Sequence, residues 1–199
     1  MTPPTAIADT LRDGLDELVG RSLAAVENGA TAVQLRLKGE DARTLLDACR
    51  ALVAALRVPV LVHDRADVAV AGRAAGVHVS RDEIPAAALR AVSPPGFVIG
   101  ASVGTSDDLA LSVGADYVSV GPVFGRGARA TGADCLGVEG FSQLVAQLTV
   151  PAIAVGGVTA ENVQSVLSAG AVGVAVITGA YAKAEAARTI RDLRSAIGI

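Results

Sequence analysis

The chain has 199 residues, 51% of them hydrophobic and 19% charged, with 17 basic against 20 acidic side chains and a net charge of −3. That length suits one domain with a core large enough to need no staples, and high hydrophobicity with low charge excludes a disordered chain. The charge balance argues against a general nucleic-acid binder, which needs basic surface to neutralise phosphates.

The 39 alanines beside 22 glycines, with 3% aromatic residues and no Trp, point to a core of small and β-branched side chains. Cys49 and Cys135 are too few for a disulfide framework and lack metal-ligand spacing. The opening Met1-Thr2-Pro3-Pro4 lacks the basic-then-apolar order of a signal peptide. No apolar run reaches the roughly 20 residues a membrane helix needs. The expectation is a soluble cytoplasmic protein that engages neither membrane nor nucleic acid.

In chain order, Val/Ile-rich runs predict strands at 5–8, 32–36, 60–63, 76–79, 98–102, 117–120, 152–155 and 173–177. They show little alternation, as strands covered on both faces do. Amphipathic stretches predict helices at 15–28, 42–56, 105–112, 139–148, 159–168 and 180–196, with shorter segments near 65–72 and 85–91. Gly29-Ala30, Gly76-Val77, Gly114-Ala115 and Gly170-Ala171 recur before the even-numbered strands. Each glycine is expected to end a helix in a left-handed turn. Eight βα units without a linker predict a single-domain (β/α)8 TIM barrel over 1–199, with an open doubly wound sheet as the rival.

In such a barrel the chemistry belongs at the carboxyl ends of the strands. Period-two alternation puts Gln34, Arg36 and Lys38 on one face of the second strand and Leu35 and Leu37 on the other. Leucines facing the helices turn the polar trio into the barrel, where an anion offsets the cost of burying cations. The alternative is a salt-bridged pair at a strand end.

After the seventh and eighth strands, Gly156-Gly157-Val158-Thr159 and Ile177-Thr178-Gly179 suit a phosphate cup of backbone N–H groups and a hydroxyl. Asp64, closing the third strand, and Asp82 or Glu83, past the fourth, could share Mg²⁺ with substrate phosphates, or could cap the helices that follow. Ser102 ends the fifth strand and offers one hydroxyl. The long loop from Gly121 to Gly132 carries Arg126 and Arg129 and reads as an anion-closing lid. His78 reads as a structural strand residue and Cys49 as core.

On these residues the chain resembles the thiamine-phosphate synthase and thiazole tautomerase family over nearly its full length. The matching pieces are Gln34-Leu35-Arg36-Leu37-Lys38, His63-Asp64-Arg65, Gly76-Val77-His78-Val79, Gly100-Ala101-Ser102, Ala115-Asp116-Tyr117-Val118, Gly121-Pro122-Val123-Phe124, Gly156-Gly157-Val158-Thr159 and 170–178. The resemblance implies a transferase joining hydroxymethylpyrimidine diphosphate to a thiazole phosphate. Diphosphate would leave with Mg²⁺ assistance, and the thiazole nitrogen would capture a pyrimidine methyl cation. It implies Gln34, Arg36 and Lys38 on the diphosphate with Ser102 assisting, so that Arg36, Lys38 and Ser102 serve the chemistry. Asp64 and Glu83 would hold Mg²⁺, and Gly157, Ile177 and Thr178 would cradle the thiazole phosphate. A homodimer is compatible with this reading.

There are departures. Synthases carry Asn where His63 stands, Asp where Glu83 stands, and Thr-x-Thr-Lys where this chain has Arg126, Gly127, Ala128 and Arg129. Arg129 keeps the charge, Arg126 offers a different phosphate contact, and neutral His63 could replace an amide hydrogen bond. The alternatives are a thiazole tautomerase, a catalytically weak phosphate-binding barrel of the same family, and a sugar-phosphate epimerase-like barrel. The tautomerases commonly carry a His where Pro122 stands, and the intact trio favours a diphosphate substrate.

Overall fold

A computed structural model of the chain describes residues 4–8, 11, 13–125, 135–176 and 183–198. Eight parallel strands pair in sequence order and close into a barrel: β1 (Pro4–Ala8), β2 (Ala32–Leu35), β3 (Val60–His63), β4 (Gly76–Val79), β5 (Val98–Val103), β6 (Tyr117–Val120), β7 (Ala152–Val155) and β8 (Gly173–Val176). Closure comes from β1 on β8, with Thr5 opposite Ala175.

Around the barrel run α1 (Leu15–Glu27), α2 (Ala42–Ala55), α3 (Ala66–Ala71), α4 (Ala86–Val92), a 3-10 helix (Ser106–Ser112), α5 (Gly137–Val145), α6 (Val163–Ser168) and α7 (Lys183–Ile197). Among the described residues no helix is long and apolar enough to cross a membrane.

The strands are legible as two alternating rows. Val33, Leu35, Val62, Val77, Ile99, Val118, Val120, Ala154 and Val174 are fully buried between sheet and helices. The intervening residues line the interior, where polar side chains collect toward the carboxyl ends. Helices follow ordinary rules. In α2, Asp41 Oδ1 accepts from Arg43 N and Thr44 N at 2.8 and 2.9 Å, and Leu45, Ala48, Cys49 and Leu52 form the buried stripe.

Local departures have local causes. The segment predicted as a helix at 105–112 winds as a 3-10 turn. There Asp108 reaches back to the N–H groups of Gly104 and Thr105, both at 2.9 Å, and Thr105 completes a capping box. The predicted helix at 159–168 begins at Val163. Ahead of it, Asn162 accepts from Thr159 N and donates to Gly157 O, holding 159–162 as a turn.

The glycine repeat holds at Gly29, Gly114 and Gly170, whose φ values are 113°, 84° and 104°. It fails at Gly76, which lies inside β4; the left-handed residue there is Arg73, at φ 58°. Gly76 serves packing instead, since a Cβ there would stand 2.0 Å from Val98 O.

Candidate functional site

A cavity of about 190 Å³ opens at the carboxyl ends of the strands. Its wall begins with β2. Gln34 is buried and Arg36 half-buried, and both line the cavity, while Leu35 and Leu37 lie in the core. The Arg36 N–H donates to Ala8 O at 2.8 Å, fixing the backbone just past the strand. Among the described residues no hydrogen bond or ion pair engages the Arg36 guanidinium.

Lys38 does not join Gln34 and Arg36. It stands exposed in the turn after Leu37, beyond the reach of strand alternation, and does not line the cavity.

The end of β3 is more constrained. Asp64 adopts φ 62°, a left-handed conformation that Asp tolerates better than most residues. Its N–H donates to His78 O at 2.8 Å, and its Oδ1 accepts from Ser80 N at 2.8 Å. Oδ2 accepts from Ser80 Oγ at 3.2 Å and lies 3.1 Å from His63 Nε2. The carboxylate is thus held by donors on two adjacent strand ends. Neither α3 nor α4 has a side-chain cap, so Asp64, Asp82 and Glu83 do not serve as caps.

His63 is partly buried, and its Nδ1 has no partner among the described residues. Burial pulls its pKa down to about 4; the Asp64 carboxylate opposes this, and Arg36 and Lys38 add to it. Lys38 is thus close enough for its charge to be felt at His63, although it does not line the cavity.

Beneath these groups lies a polar cluster that single-strand reasoning missed. His78 is buried and stacks on His63, with ring centroids 6.0 Å apart. It contacts the Tyr117 hydroxyl, Ser102 Oγ and Ser119 Oγ at 3.0, 3.0 and 3.1 Å. Burial draws the His78 pKa to about 3 and raises that of Tyr117. His78 is a strand residue, as the sequence reads, and its ring also lines the cavity. Ser102 stands where the sequence placed it, at the end of β5 and facing the cavity.

A second cavity, of about 230 Å³, shares Ser80, Ser102 and Ser119 with the first and adds Arg81, Asp82 and Asp108. Glu83 is exposed in the turn after β4, and it is Asp82 that lines this space. Burial alone would raise the Asp108 carboxyl, but hydrogen bonds from Gly104 N, Thr105 N and the Thr105 hydroxyl, with Arg81 nearby, bring it below the usual carboxylate range.

On the far side, Gly156 and Gly157 take φ 93° and 65°. Their missing side chains admit the loop after β6: a Cβ on Gly156 would meet Pro122 Cα at 2.7 Å, and one on Gly157 would meet Phe124 O at 2.6 Å. The pair thus has a packing reason beside the phosphate reading. Ile177, Thr178, Arg126 and Arg129 lie outside the described residues.

As for a divalent cation, no group of three His, Cys, Asp or Glu side chains gathers among the described residues. Mg²⁺ does not require such a cage, since one or two carboxylates and substrate phosphates suffice. Asp64 fits that pattern through Oδ1, which accepts a single hydrogen bond and keeps a lone pair, and its charge beside a phosphate would be repulsive without a cation between them.

Compared with known proteins, residues 5–180 match the family described as thiamine monophosphate synthase. The chain is 39% identical over 177 residues to a thiamine-phosphate synthase of Azorhizobium caulinodans, covering 85% of this chain and 84% of the relative. To one from Methanoculleus marisnigri it is 37% identical over 194 residues, covering 92% of both. A solved thiamine phosphate pyrophosphorylase from Pyrococcus furiosus superposes with a TM-score of 0.83 at 30% identity, over 98% of this chain and 95% of that one.

Proposed function

This chain belongs to the thiamine monophosphate synthase family, and we propose from that premise that it joins hydroxymethylpyrimidine diphosphate to a thiazole phosphate, releasing diphosphate. The observation that carries the reading is the Arg36 guanidinium, turned into the barrel mouth with no carboxylate to neutralise it among the described residues. A cation there without a partner among the described residues favours a strongly anionic guest.

In the reaction the bond from the pyrimidine methylene carbon to the diphosphate oxygen breaks, and the electron pair leaves with diphosphate. The methylene carbon then bonds to the thiazole nitrogen. No side chain need form a covalent bond, so the protein's work is charge stabilisation and alignment. Arg36 and the amide of Gln34 would hold the diphosphate, with Ser102 donating a hydroxyl hydrogen. Lys38 would add positive potential from the rim.

Asp64 would hold Mg²⁺ together with the diphosphate, and the cation would stabilise the leaving group's charge. Asp82 and Glu83 are the carboxylates close in sequence to the site that could assist. Gly157, with Ile177 and Thr178, would receive the thiazole phosphate. The neutral imidazoles of His63 and His78 add no charge to compete with the cations. Two cysteines, too few for a disulfide framework, suit a cytoplasmic enzyme of small phosphorylated substrates.

The test is coupling itself. Purified protein with Mg²⁺ and both substrates is expected to yield thiamine phosphate, detected by fluorescence after oxidation. Arg36→Ala should lower that rate by about a hundredfold, as loss of a charge-assisted contact at a diphosphate warrants. Unchanged turnover in the variant would reject the assignment. Isomerisation of a thiazole phosphate that survives EDTA and ignores the pyrimidine diphosphate would select a tautomerase instead.

A further inference from the structure

His78 is 4% exposed, and a buried imidazole must account for both ring nitrogens. Nδ1 lies 3.0 Å from the Tyr117 hydroxyl, while Nε2 faces Ser102 Oγ and Ser119 Oγ at 3.0 and 3.1 Å. Burial keeps the ring neutral and the phenol protonated at neutral pH. Two tautomers compete for this arrangement.

With the proton on Nδ1, that N–H would donate to the Tyr117 oxygen, and the phenol's own proton would need another acceptor. Among the described residues His78 is the only hydrogen-bond partner of the Tyr117 hydroxyl. With the proton on Nε2, Tyr117 donates to Nδ1, and Nε2–H is shared between the two serine oxygens. Phenol and imidazole protons then both have acceptors, which selects this tautomer.

The serine oxygens are left with their own hydrogens to give. Ser119 Oγ has Ser102 Oγ at 3.5 Å. The Ser102 hydroxyl has no other acceptor among the described residues, and it lines both cavities. The same arrangement rules out a base-activated nucleophile, because a protonated Nε2 cannot take the Ser102 proton.

The backbone is adapted to this contact. A Cβ on Gly100 would stand 2.3 Å from Tyr117 Cζ and 2.5 Å from His78 Nδ1, so β5 omits a side chain where phenol and imidazole meet. We infer that Tyr117 and His78 are positioning residues, a relay that fixes the Ser102 hydroxyl as a one-way donor toward the ligand's anionic group. The identity of that group, a diphosphate, rests on the transferase reading above.

The chain has only two histidines, so in ¹⁵N-histidine-labelled His63→Gln protein every imidazole signal belongs to His78. Two-bond ¹H–¹⁵N correlations at neutral pH should show Nε2 protonated and Nδ1 bare; a proton on Nδ1 overturns the inference. Binding of inorganic diphosphate with Mg²⁺ gives the second readout. His78→Leu is expected to weaken it by about tenfold, the worth of one oriented donor to an anion. His78→Gln, which places an N–H donor where Nε2 stands, should stay within about threefold of the parent.

Equal affinity in the Leu variant, equal loss in both variants, or no diphosphate binding by the parent overturns the relay. Should His78→Leu fail to fold, the Gln variant and the tautomer measurement decide. A parent that binds diphosphate but makes no thiamine phosphate would count against the transferase reading and leave the relay standing.

Discussion

At the scale of single residues, the two histidines give the molecule a pH signature of its own. An unfolded histidine titrates near 6.5, whereas burial holds His63 at about 4, against the opposing pull of Asp64, and His78 at about 3. Below pH 6.5 the unfolded chain takes up protons that the folded one refuses, so stability falls as pH drops toward the folded values. Each histidine costs up to about 1.4 kcal/mol per pH unit. Urea midpoints should therefore decline from pH 7 to pH 5, and His78→Gln should flatten the decline; a parent midpoint that does not move contradicts the burial of these rings. What the sequence could say about such residues depended on where alternation applies. It placed Gln34 and Arg36 correctly, because Gln34 lies in β2 and the bond from Arg36 N to Ala8 O carries the pleat one residue past its end. It misplaced Lys38, because the strand ends at Leu35 and side-chain direction in the turn no longer follows a period of two. The partners of His78 were not legible for a different reason: Tyr117 is 39 residues away, and only the register linking β4, β5 and β6 brings them together.

For the elements, the strands were legible almost to the residue, since a strand covered on both faces is mostly apolar, its polar residues confined here to the inward row. Helix ends were less so, because they are set by side-chain hooks such as those of Asp108 and Asn162, whose alternatives look equal in sequence. Glycine was the most ambiguous letter. Gly29 and Gly170 end helices, but Gly76 and Gly100 sit within strands and are small because something passes close by. Gly100→Ala puts this to the test. The added methyl has no room between two rings, and overpacking of this kind costs about 1–3 kcal/mol. Chemical denaturation should show that loss, with weaker diphosphate binding than a stability-matched control; a variant as stable as the parent would mean that phenol and imidazole are not tightly packed against Gly100.

At the level of the whole molecule, repetition of the βα unit made the barrel readable, but its seam was not written in any local stretch. Closure joins β1 to β8 in sheet and α1 to α7 outside it, where Arg191 donates twice to Asn28 Oδ1 at 3.1 and 2.9 Å. Ala186, Ile190 and Leu193 of α7 are buried there. Leu193→Ala should cost about 2–5 kcal/mol, as large-to-small changes in a filled core do, with a matching drop in urea midpoint; a loss below 1 kcal/mol would mean the seam contributes little. A second junction bears on how such an enzyme can diversify. The N–H groups of Val123 and Phe124 donate to Val155 O and Gly156 O, while those of Leu136 and Gly137 donate to Pro122 O and Val123 O, all at 2.9–3.0 Å. The start of α5 is thus tied to the end of β6, and that in turn to the end of β7, by main-chain bonds that are blind to side-chain identity. A junction held this way keeps its register while the side chains around it change, so the barrel mouth can drift in sequence without unseating the elements that frame it.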